Sequence, residues 1–246
     1  MKEVSVMKKR LLPGLIVTTL LPVLVVVGIL YARGITGNKV ADTPHNLRKA
    51  TTDGMPLADM GEICVYCHTP HNNNTNIEAP LWNRATPAGP YTMYDSPTLD
   101  MTISASPQGV SLACLSCHDN TIALDQVVNI PTNKFGSYVP GGATIESCAQ
   151  GCHVGTASGA DGINFEGTVV GTDLSNDHPI SITYDPTQDP NFHPASGGKV
   201  GVLPLYGPSA DRVECASCHN PHDNTNRPFL RISNDNSALC LTCHDI

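Results

Sequence analysis

The chain is short of aromatic rings, of basic charge and of any cysteine without a partner. Aromatic residues are 5% of 246, with a single tryptophan, while glycine and proline number 21 and 20, together about one residue in six. Such a chain is a poor source of side-chain core, so something other than side chains is expected to fill its interior. From Asp42 onward 8 lysines and arginines face 21 aspartates and glutamates, a net of −13 where the whole chain carries −8. That scarcity of cations disfavours a nucleic-acid partner and asks for a basic face on any redox partner protein that docks. No Cys-x-x-Cys-Lys, catalytic triad, phosphate loop or paired-carboxylate site stands out.

What is present is a set of ten cysteines in five close pairs, Cys64/Cys67, Cys114/Cys117, Cys148/Cys152, Cys215/Cys218 and Cys240/Cys243, each followed at once by histidine. Histidine is about 4% of the chain, so five such successors by accident have odds of about one in ten million. Structural zinc takes Cys-x-x-Cys pairs two at a time and needs no histidine directly after each, and disulfides need no histidine at all. A Cys-x-x-Cys-His run is the attachment signature of a c-type haem: two thiols form thioethers to the porphyrin and the adjacent imidazole binds its iron. The run Cys148-Ala149-Gln150-Gly151-Cys152-His153 departs from it by one extra intervening residue. The expected cofactors are five covalently attached haem c groups, with His68, His118, His153, His219 and His244 as proximal iron ligands.

Five histidines remain, His45, His71, His178, His193 and His222. The equality allows every iron two imidazoles and leaves no open position for a substrate, so the chain reads as an electron-transfer protein and not an enzyme. His71 and His222 each follow a proximal histidine by three residues, too short a step to reach the opposite face of the same ring. Each is therefore assigned to a second haem, His71 to that of Cys114/Cys117 and His222 to that of Cys240/Cys243. Met55, Met60, Met93 and Met101 are competing axial donors, which the supply of histidines makes unnecessary.

Residues 1–31 read as an export segment, with Lys8, Lys9 and Arg10 ahead of an uncharged run at 11–31 long enough to span a bilayer. Pro13, Pro22 and Gly28 weaken a spanning helix and the small-residue cleavage pattern is poor, so cleaved signal peptide and retained anchor both stand. Either puts the remainder outside the cytoplasm. The expected division is 1–41 as signal or anchor with a short linker, and 42–246 as one pentahaem domain. That domain comprises a two-haem unit (57–130), a third haem with its insert (131–208) and a second two-haem unit (209–246). The fold expected is mostly irregular and loop-rich, a compact multihaem cytochrome c organised around a haem chain. Short helices are expected at 57–68, from an N-cap at Ser111, at 209–219, and from a cap near Ser233 or Asn234 to Cys243. A small β-hairpin is expected from 167–170 and 180–184. Trp82 reads as packing, either against core or against a porphyrin face.

An internal repeat is legible: CVYCHTPHNNNTN at 64–76 returns as CASCHNPHDNTN at 215–226, and CLSCHD at 114–119 returns as CLTCHD at 240–245. With the doubled CxxCH arrangement, the CHxPH extensions, the run APLWNR and His178 in NDHPIS, residues 43–246 resemble the multihaem cytochromes of metal-reducing microbes. They most resemble those whose subunits polymerise into extracellular filaments, the cytochrome nanowires. The resemblance implies bis-histidine haems in a continuous chain within a loop-rich protein, and one iron per subunit completed by a histidine of the next copy. His45 is the first candidate for that bridge and His193 the second. The fifth attachment motif is a departure from those relatives. The function so expected is an exported electron conductor at the cell surface, partnered by copies of itself and by redox proteins or extracellular metal acceptors. The alternatives are a monomeric periplasmic pentahaem shuttle and a membrane-anchored quinol-oxidising cytochrome, membrane contact requiring that the N-terminal segment be retained.

Overall fold

The computed structural model describes residues 39–52, 57–131, 142–145 and 167–246. Most of residues 1–41, and the motif of Cys148, Cys152 and His153, lie outside the described residues. Regular structure is sparse, as a chain rich in proline and glycine dictates. The helices are α1 (Leu47–Thr52), α2 (Ser111–His118), α3 (Cys215–Cys218) and α4 (Cys240–Cys243). Single 3-10 turns lie at Val40–Asp42, Cys64–Tyr66 and Asp235–Ser237. Among the described residues four two-residue strands, β1 (Ile182–Thr183), β2 (Lys199–Val200), β3 (Leu203–Pro204) and β4 (Arg212–Val213), form two antiparallel pairs. Among the described residues no helix is long and apolar enough to cross a membrane.

The loop-rich expectation holds, while several element boundaries differ. Over 57–68, where a helix was expected, the chain makes only the 3-10 turn at Cys64–Tyr66, within the first motif, and α3 is confined to its motif because β4 occupies the residues before it. The expected hairpin does not form. The Val170 and Gly171 amides donate to the His118 carbonyl at 2.9 and 3.1 Å, and Ile182 pairs with Val213 instead. The hairpin is β2–β3, with Val200 opposite Leu203. Its tight turn carries Gly201 at φ +56, a backbone conformation that favours glycine. Ser111 is the first helical residue rather than the cap, because its hydroxyl is committed to Glu214 at 2.5 Å.

Apolar packing is distributed over small clusters: Leu57, Leu124, Ala143 and Ile145; Ile77, Trp82 and Ala113; Tyr184, Val200 and Leu205. Polar ties do much of the remaining work. The Asn83 side chain is completely buried; its amide donates to the Val65 carbonyl at 2.7 Å and the Asn129 carbonyl at 3.1 Å, and its oxygen accepts from the Asn129 amide at 2.8 Å. Glu214, buried at the start of α3, accepts from Ser111 and from Ser181 at 2.9 Å, while the Cys215 amide donates to Ser111 Oγ at 2.9 Å. This latch joins the beginnings of α2 and α3, so the two motif helices are held together through hydrogen bonds. Asn83→Ala orphans three part-buried backbone partners and is expected to destabilise the haem-loaded protein by about 2–4 kcal/mol in chemical denaturation.

Candidate haem sites

Each of the four described motifs is a single tight turn, which brings its two cysteines and its histidine to one place. The amide of His68 donates to the Cys64 carbonyl at 2.8 Å, and His219 and His244 repeat the bond to Cys215 and Cys240 at 3.0 Å. The second motif ends α2, where Asp119 closes the last turn on Leu115 at 3.1 Å. All eight described cysteines are free. The Cys67 thiol is pushed up to about 12 by burial and then by Cys117. A hydrogen bond between Cys114 and Cys215 raises the first thiol and lowers the second. Cys218 is raised by burial, then by Cys215 and Cys240. The cysteines of the second motif thus lie near those of the first and fourth, and those of the fourth near those of the fifth.

The histidines are oriented from behind. Nδ1–H of His68 donates to the Pro80 carbonyl at 2.6 Å, that of His118 to Thr168 at 2.7 Å and that of His219 to Pro228 at 2.9 Å. His45 points its Nδ1 at the Pro221 carbonyl, 3.3 Å away, and His178 at the Pro179 carbonyl, 3.0 Å away. A carbonyl can only accept, so in these rings the proton sits on Nδ1 and the Nε2 lone pair is left for a metal. Burial also lowers the pKa of His45, to about 4, with the nearby His118 adding to the effect. It lowers those of His118, His222 and His244 too, keeping the imidazoles in the neutral form that ligation requires.

Three imidazole pairs face one another at nearly one spacing. Ring centres lie 6.2 Å apart for His45 and His118, 6.0 Å for His68 and His222, and 6.4 Å for His178 and His244, with interplanar angles of 84°, 19° and 77°. Two imidazoles on opposite sides of one metal, with bonds of about 2.0 Å and nitrogens about 1.15 Å from the ring centres, have centres about 6.3 Å apart. Rotation about the bond axis is unconstrained, so shared distance with unshared angle is the pattern such ligation leaves. With free cysteine pairs and anchored proximal rings beside them, the described residues fit covalently attached bis-histidine haem.

The pairing differs from the sequence-based assignment. His45, and not His71, stands opposite His118, and His222 stands opposite His68, and not with the fifth motif, where His178 faces His244. Sequence separation misled the assignment: the proximal and distal histidines of one repeat copy are neighbours in chain, but the second copy folds back on the first. His45 reaches its place because its ring stacks on Phe229 at 4.3 Å and Lys39, six residues ahead, pairs with Asp223 at 2.7 Å. The His71 carbonyl accepts from Thr69 and Asn129, and the His193 amide donates to the Cys243 carbonyl at 2.9 Å. Neither histidine ring, nor that of His219, forms a pair of this kind among the described residues.

The repeat is also deeper than its sequence match. The Thr69 and Asn220 amides bond the carbonyls of Leu81 and Phe229, at 2.8 and 2.7 Å, and the Asn83 and Arg231 amides bond those of Cys67 and Cys218, both at 2.8 Å. Leu81 and Phe229 share positive φ, +54 and +59. The anchoring segments Pro80-Leu81-Trp82 and Pro228-Phe229-Leu230 therefore correspond. The signal that marks them is a proline before two apolar residues, some ten residues after each motif. Trp82 packs with Ile77 and Ala113, its ring edge-on to His68 at 5.7 Å.

A family model described as the doubled CXXCH motif matches residues 207–246, which hold the fourth and fifth motifs. No curated protein sequence matches the chain. The match supports a c-type cytochrome with CxxCH motifs.

Proposed function

We propose that this chain is an exported c-type cytochrome with five haems, each iron held by two histidines, that passes electrons along the series of its motifs. The common ring spacing of His45/His118, His68/His222 and His178/His244 carries the reading. The cysteine pairs would hold the haems covalently and the two imidazoles would hold each iron; when bound, the haem supplies reversible one-electron chemistry at six-coordinate iron. The Nδ1–carbonyl bonds hold the rings of His45, His68, His118, His178 and His219 in place, and two histidines on one iron would leave it no position for a substrate. The domain is read as 42–246, with the motif of Cys148, Cys152 and His153 as the third attachment site.

In the same reading the protein assembles into an extracellular filament. His45 is matched to His118 within its own chain, so the bridging role passes to the second candidate, His193. A contact of this kind joins two different surfaces and gives an open filament when its rotation does not close on itself.

His45→Ala, His178→Ala and His222→Ala are each expected to convert one haem from low to high spin in the ferric spectrum; a fully low-spin spectrum in all three variants overturns the ligand pairs. His193→Ala is expected to abolish fibres in electron micrographs of the secreted protein while haem content is retained. Acid should weaken the His45 lead in two windows. The docked imidazole is depressed to about 4 from an ordinary value of 6.5, so docking is strongest above 6.5 and declines as pH falls toward 4. Lys39, followed by Thr225, holds Asp223 down at about 2, so that contribution is present above 3.8 and is lost as pH falls toward 2. A high-spin ferric band should grow through the first window and be complete after the second.

A further inference from the structure

Two adjacent residues clamp two attachment turns, one with a neutral group and the other with a cation. Asn83 holds the Val65 carbonyl, inside the Cys64–Cys67 turn, with an amide. Arg84 holds the Ser116 carbonyl, inside the Cys114–Cys117 turn, with a guanidinium: Nε at 3.2 Å and Nη2 at 2.9 Å. Its other bonds run to Ser116 Oγ at 3.2 Å, to the Leu124 carbonyl at 2.8 Å and to the Ala123 carbonyl at 2.7 Å. Every acceptor is uncharged. Arg84 is 0% exposed, and the ion pairs among the described residues, Lys39–Asp223 and Arg48–Asp59, do not include it. The buried carboxylates of this region bond neutral donors and not Arg84: Asp119 accepts from Tyr91 and Thr121, and Asp125 Oδ2 from the Ala58 amide, both keeping their own charge. Burying a cation among neutral partners is costly, and Asn83 demonstrates that a neutral amide suffices for clamping a turn. What the guanidinium adds is a fixed positive charge that water and salt barely screen.

We propose that Arg84 sets the redox potential of the haems attached at Cys64/Cys67 and Cys114/Cys117, its buried charge favouring their reduced state. The inference rests on the haem reading above. Reduction of ferric to ferrous haem takes up one electron from the donor and no proton, so it adds one negative charge close to this cation. Across about 10 Å at an effective dielectric of about 20, a unit charge moves such an equilibrium about tenfold.

The test is a spectroelectrochemical titration of the full, haem-loaded chain. In Arg84→Gln a subset of the haems should show an oxidised-to-reduced ratio about tenfold higher at a given applied potential, about 59 mV for a one-electron couple. Arg84→Lys, which keeps the charge, should stay within about twofold of the parent. A Gln variant that superimposes on the parent, or a Lys variant that moves as far as the Gln one, overturns the proposal; the second result assigns Arg84 to clamping alone. If Arg84→Gln fails to load haem, Ser116→Asp places a countercharge beside the intact Arg84. The same downward shift then supports the proposal and an unchanged titration overturns it. A parent protein without bound haem fails the underlying reading rather than this one, so the two are separable.

Discussion

The bond from a histidine Nδ1–H to a main-chain carbonyl is the interaction on which the arrangement turns. It selects the tautomer, points Nε2 away from the backbone and fixes the ring, and it does so for His68, His118 and His219 through Pro80, Thr168 and Pro228. Two of those acceptors are proline carbonyls, whose residues have no N–H to compete for structure locally. A ring held this way is ready for a metal without the entropy loss that a free imidazole would suffer on binding. The irregular backbone is thus organised: segments such as 80–82 and 228–230 run where a carbonyl is needed, and their conformation follows from that duty.

The second organising feature is that neither repeat copy completes itself. The first motif takes its facing imidazole from the second copy, through His222, and the second motif takes its own from the lead, through His45. Buried polar groups reinforce the crossing, since Ser111 and Glu214 latch α2 to α3. Where the described residues form small apolar clusters, specificity comes from such directional bonds, because each is satisfied in one register only.

The grouping of each described thiol pair with its imidazole was legible in sequence because it is local: residues within one turn are brought together by spacing alone. The loop-rich character was legible from proline and glycine. The ring pairings were not, since His45 and His118 or His68 and His222 are joined by no periodicity, only by the return of the second copy onto the first. Ser111 read as a cap because serine ahead of an apolar run usually is one, and the competing partner was Glu214, distant in sequence. Arg84 drew no notice inside APLWNR, where nothing distinguishes a buried guanidinium from a surface one.

Lys39 and Asp223 also pair as a bridge between backbone segments, and His45 lies on Pro221 and Phe229 close by. A pull applied to the chain from its N-terminal side is therefore delivered to the loop after the fourth motif before it can reach the first. Tension would be shared between the two ends of the molecule and pass around the first two motif turns, leaving their spacing to be strained only after the lead has let go.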